Sequence, residues 1–63
     1  MRILQKAITP NGKYEIRVTS KNRYGEYEVQ FYSKGKKLND LTYFTDDEDD
    51  AFQTAHKEYN RNT

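Results

Sequence analysis

Residues 45–59, TDDEDDAFQTAHKEY, constrain the fold most, because they read as a single amphipathic helix following a series of strand-like segments. Thr45 is placed to cap the helix while Glu48, three residues on, reaches back to the free backbone amide of the cap, a reciprocal pattern that marks a helix start. The five consecutive acids from Asp46 to Asp50 then fall near the positive end of the helix dipole, and Lys57 and Arg61 fall near the negative end. Ala51, Phe52, Ala55 and Tyr59 form one apolar stripe, which is what a helix needs to lie on a sheet.

The preceding residues supply that sheet. Residues 1–8 form a first strand whose apolar positions fit neither period well. Thr9-Pro10-Asn11-Gly12 reverses the chain, since Pro fixes φ at the second turn position and Asn-Gly tolerates positive φ. Residues 13–19 alternate, with Tyr14, Ile16 and Val18 on one face and Glu15, Arg17 and Thr19 on the other. SKNRYG, residues 20–25, turns the chain again, and residues 26–32 set Tyr27, Val29 and Phe31 against Glu28, Gln30 and Tyr32. A third turn, Ser33-Lys34-Gly35-Lys36, leads to a last strand at residues 41–44. The expected fold is α+β, a three- or four-stranded antiparallel meander with one C-terminal helix packed on one face. Its core is expected from Tyr14, Ile16, Val18, Tyr27, Val29, Phe31, Leu41, Phe52, Ala55 and Tyr59, with residues 60–63 as a frayed tail.

Sixty-three residues make one small domain, which buries only roughly 60% of the surface its unfolded chain exposes. Hydrophobic and charged residues each make up 33%, so the core must come from few, bulky side chains, which six Tyr and three Phe provide. Cysteine is absent, which excludes disulfides, thiol catalysis and Cys-based zinc sites. No apolar run suits a signal peptide or a membrane span, so a soluble, cytoplasmic protein is expected. Charge is uneven: residues 1–39 carry nine Lys or Arg against three Glu, and residues 40–63 carry two against seven acids. A basic sheet and an acidic helix start would attract each other or face different partners.

No residue pattern specifies a reaction. A calcium loop opening at Asp46 would need Gly sixth and Glu twelfth, where the chain has Ala51 and Lys57. Adjacent solvated acids cannot separate their acidities as a catalytic pair must, so the run is a dipole-stabilised helix start or an acidic docking surface of Asp46, Asp47, Asp49 and Asp50. His56 is the only histidine and Ser20 and Ser33 lie in turns, so no catalytic residue, metal, cofactor or small-molecule substrate is expected. Lys34, Lys36 and Lys37 cluster at one hairpin tip, and Lys21 and Arg23 at another. The sheet face away from the helix is expected to show Glu15, Arg17, Thr19, Glu28, Gln30, Tyr32 and Thr42, with Phe44 either there or under the helix. Arg17, Gln30 and Tyr32 on that face, with Lys34, Lys36 and Lys37, form the candidate binding surface for protein or DNA. Glu15 and Glu28 would repel phosphates there.

From Gly25, GEYEVQFYSKGKKLNDLTYFTDDEDDAFQTA resembles the three-strand-plus-helix domains of AP2 transcription factors and of the arm-binding N-terminal regions of phage integrases. Tyr27, Gly35-Lys36, Phe44-Thr45 and Ala51 occupy the places of the aromatic strand, Gly-Lys turn, Phe-Thr step and helix Ala. The resemblance implies a sheet entering the DNA major groove, with Arg17, Gln30 and Tyr32 toward bases and the three lysines toward phosphates. The residues themselves favour a non-enzymatic protein acting through protein contacts, as an adaptor or inhibitor, with a different protein or its own copy as partner. A phage or mobile-element accessory protein would fit.

Overall fold

The computed structural model describes residues 2–61. Strands β1 (Ile3–Ile8), β2 (Glu15–Thr19) and β3 (Tyr27–Ser33) pair in sequence order, all antiparallel. The far side of β3 is shared by two short strands: β4 (Lys36–Lys37) opposite Tyr32 and Ser33, and β5 (Tyr43–Thr45) opposite residues 27–29. Between them the chain leaves the sheet in a 3-10 turn, Asn39–Leu41. The helix α1 (Glu48–Arg61) closes the fold. This is the α+β meander with a C-terminal helix that the alternation implies.

Turn chemistry sets the register. Thr9 is buried and holds the first hairpin, where its amide donates to the Tyr14 carbonyl (2.9 Å) and its hydroxyl accepts from the Tyr14 amide (3.2 Å). The β3–β4 hairpin has Lys34 at φ 54° and Gly35 at φ 81°, both in the left-handed region, as a two-residue primed turn requires. The Gly35 position costs little without a Cβ, whereas Lys34 carries the strain of a side chain there.

Cross-strand partners share a face, so the pairs Ile16–Phe31 and Val18–Val29 meet beneath the helix. With Ala51 and Ala55 they form the buried core, against which Tyr27, Leu38, Phe52 and Tyr59 pack. Val18 and Val29 are fully enclosed, each stabilising the fold by roughly 1.5–3 kcal/mol. Ala51 has no exposed surface, and its small side chain lets the helix approach the sheet. Helix contacts run to β2, β3 and β5, and β1 lies beside the helix rather than under it.

Four expectations are corrected. Leu41 is 51% exposed rather than in the core, because the 3-10 turn carries it away from the sheet. For the same reason the last strand is Tyr43–Thr45, and Thr42 lies outside the strands as the residue ending that turn. The helix cap is Asp47, whose Oδ1 accepts from the amides of Asp49 (2.9 Å) and Asp50 (3.4 Å). Thr45 is held in β5 opposite Tyr27, so it cannot cap; its hydroxyl accepts from the Asp47 amide instead (3.2 Å). The helix continues through Asn60 and Arg61, past the Tyr59 at which the sequence pattern ends it, with Arg61 paired to Glu58 at 3.1 Å. Met1, Asn62 and Thr63, the ends of the expected first strand and tail, lie outside the described residues.

Candidate functional site

The sheet face opposite the helix is built from alternate residues of β2 and β3 and, because the register shifts between Ile3 and Gln5, from Ile3, Lys6 and Ile8 of β1, and the pairing lines them up in rows. One row runs Ile8–Glu15–Tyr32–Lys37, the next Lys6–Arg17–Gln30, and the third Ile3–Thr19–Glu28–Phe44. Phe44 therefore belongs to this face, since it lies opposite Glu28, and it is 51% exposed. Tyr43, opposite Val29, takes the helix side.

The polar side chains of this face are joined end to end. Arg17 pairs through Nε with the Glu15 carboxylate, and its guanidinium lies over the Tyr32 ring, 4.0 Å from the centroid. The Tyr32 hydroxyl donates to Gln30 Oε1 (3.4 Å), Gln30 Nε2 donates to Glu28 Oε1 (3.1 Å), and Asn22 Nδ2 donates to Glu28 Oε2 (3.1 Å). Thr19, Glu28 and Gln30 are buried although no helix covers them, and Glu28 and Gln30 lie inside the hydrogen-bonded row between Asn22 and Tyr32. Glu28 is thus held as a carboxylate: burial pushes its carboxyl upward, but the Asn22 and Gln30 amides and the Lys37 charge together hold it below the ordinary value. Glu15 is matched by Arg17, whose guanidinium it holds in the charged form. Both acids of this face therefore have partners within it.

Asn22 is the residue that sequence reasoning missed. Its Oδ1 accepts from the amides of Tyr24 (2.8 Å) and Glu26 (3.1 Å), and its backbone closes the same turn with Gly25 and Glu26. The polar string SKNRYG signals a turn, but not that one amide fastens that turn to Glu28 on the adjoining strand. The basic residues around it are spread: Lys21 lies over the Tyr27 ring (5.8 Å) and Arg23 over Tyr24 (5.2 Å).

The expected site residues therefore divide. Arg17, Gln30 and Tyr32 come together, with Gln30 only 6% exposed and engaged on both sides. Lys37 joins them opposite Tyr32, while Lys34 and Lys36 stand exposed at the hairpin tip. Of the acids, Asp46 and Asp49 are exposed, whereas Asp47 caps the helix and Asp50 accepts from the Tyr43 hydroxyl at 2.6 Å. That bond, with help from Thr45, keeps the Asp50 carboxyl below its ordinary range and raises the Tyr43 phenol. Only part of the acidic run is free to dock.

On the helix side, a trough of about 510 Å³ separates β1 from the helix, floored by Ile16, Phe52, Ala55 and Tyr59 and rimmed by Gln5, Ala7 and His56. A second groove of about 450 Å³, between the helix and the 3-10 turn, includes Tyr14, Leu41 and Tyr43. Among the described residues no three His, Cys, Asp or Glu come together as metal ligands would, and no helix is long and apolar enough to cross a membrane. The chain matches no family model, no curated protein and no solved structure.

Proposed function

We propose that this chain is a non-enzymatic binding protein that recognises another protein through the open face of its sheet. The observation that carries the reading is the joined row of Glu15, Arg17, Tyr32, Gln30, Glu28 and Asn22. Groups of the kind that read bases are already matched internally, Arg17 by Glu15 and Gln30 by Glu28. A fixed, charge-balanced surface containing an Arg–Tyr stack and bordered by exposed Ile8 and Phe44 has the mixture of rigid aromatic, Arg and apolar contacts found at protein interfaces. Pre-organisation of this kind lowers the ordering cost of association.

A second reading, double-stranded DNA binding by the same face, draws on the adjacent cations Lys6 and Arg17 and on Lys34, Lys36 and Lys37 at the hairpin. The resemblance to AP2 and integrase-arm domains agrees with it as analogy alone. Salt separates the two. Protein recognition predicts capture of a partner that survives nuclease treatment and is lost in a Tyr32→Ala, Arg17→Ala variant, with no duplex binding even at about 25 mM salt. Duplex affinity that falls steeply with salt, together with capture that requires intact nucleic acid, would replace it with the DNA reading.

A further inference from the structure

We infer that the free edge of β1, together with the trough beneath it, is a docking site for an extended acidic peptide segment, which adds to the sheet as a further strand. This shares with the function proposed above that the partner is a protein; the site is the outer edge of β1 and its trough, which adjoins the open face at Lys6 and Ile8. β1 is six residues long, pairs among the described residues on one side only, and contains no proline. Because the Thr9 amide bonds Tyr14, the alternation of an antiparallel ladder turns Ala7 and Gln5 toward β2 and directs the N–H and C=O of Lys6 and Ile8 outward. Those groups are the template for an added strand.

The helix makes this edge more than a bare ladder. It packs on β2, β3 and β5, so the inner flank of β1 opens onto the trough floored by Ile16, Phe52 and Tyr59. A docked strand would send alternate side chains into that trough and the others toward Lys6 on the open face, since neighbours across strands share a side. Apolar residues suit the first set.

Charge selects the second set. Residues 2–14 contain Arg2, Lys6 and Lys13 and no carboxylate. A second copy of this chain would bring its own Arg2 and Lys6 against the same cations. A strand alternating apolar and acidic residues meets both the trough and the charge, so it is the occupant that fits.

The test uses a capped eight-residue peptide alternating valine and glutamate, titrated into the isotope-labelled chain, with the valine–lysine peptide as control. The expected result is saturation by about 1 mM, with amide shifts centred on Lys6 and Ile8 and extending to Ala7, Phe52 and His56. The lysine peptide should bind at least about threefold more weakly, a preference that Lys6→Glu should invert and high salt should flatten. Ile8→Pro removes an outward donor without touching a bond to β2, and should abolish binding; Lys6→Glu, a surface change, keeps the test valid if the proline variant misfolds. Tyr32→Ala should leave peptide binding unchanged, which separates this site from the open face. No saturable shifts with either peptide, equal binding of both, or shifts centred on Tyr32 and Gln30 would each overturn the proposal.

Discussion

Replacing Asn22 by aspartate changes one nitrogen to oxygen at the joint between the second turn and the open face, and its cost should depend on pH. The aspartate retains an oxygen to accept from the Tyr24 and Glu26 amides, so the turn itself is preserved. What is lost is the donation to Glu28 Oε2, replaced by two carboxylates about 3.1 Å apart. A hydrogen bond to a charged group contributes about 1.5–3 kcal/mol, and the added repulsion is limited because one carboxyl can take up a proton instead. Protonating a carboxyl of ordinary pKa 4.5 at pH 7 costs about 3.4 kcal/mol, which sets the ceiling. We expect a loss of about 2–3 kcal/mol at pH 7, a large share of what so small a domain possesses. In the parent chain the Glu28 carboxyl is lowered on folding, so its contribution is present above about pH 4.5 and fades as pH falls through the lower folded value. In the variant the folded carboxyl is raised, so the penalty stands at neutral pH and disappears toward pH 4, where a shared proton restores a donor. Urea unfolding followed by circular dichroism at pH 7, 5.5 and 4 measures this. Adding Glu28→Gln should recover most of the loss, because the glutamine amide can then donate to the introduced carboxylate. A loss below about 0.5 kcal/mol at pH 7, or one that does not change with pH, would refute the reasoning.

Three further substitutions probe the fold by the same unfolding measurement. The Thr42 hydroxyl is buried without a partner, so Thr42→Val, which keeps the shape and the extended backbone, should stabilise by about 1 kcal/mol. Lys34→Asn should stabilise by about 0.5–1 kcal/mol because Asn accepts the left-handed conformation of that turn more readily, whereas Gly35→Ala should cost about 1–2 kcal/mol. Asp47→Ala should cost about 1 kcal/mol through loss of the helix cap, and Thr45→Ala, which removes the acceptor of the Asp47 amide and the hydroxyl's help to Asp50 but leaves the cap in place, should cost less. Equal losses for the last two would return the cap to Thr45.

Much of the scaffold was legible in residue order. The alternation of β2 and β3 has the period of a half-buried strand, and their inward residues are the ones that meet the helix. The errors have two sources, contacts between residues distant in sequence and one local excursion of the chain. Thr45 has the right chemistry to cap, but pairing with Tyr27 commits it to the sheet and leaves the role to Asp47. Leu41 has the right polarity for the core, but the 3-10 turn lifts it out. Alternation assigned Thr19, Glu28 and Gln30 to the correct face yet could not show that they are buried there, nor that Asn22 and Tyr32 bond Glu28 and Gln30. The trough beside β1 was likewise invisible, since it follows from the sideways placement of the helix.

The divided partner of β3 has a consequence for assembly. With β4 and β5 only two and three residues long and separated by an excursion, that flank offers no continuous ladder on which another chain could register. A molecule that can accept a neighbour on one margin alone cannot pass pairing from copy to copy. Strand addition along β1 would thus have no matching margin across the sheet from which to repeat.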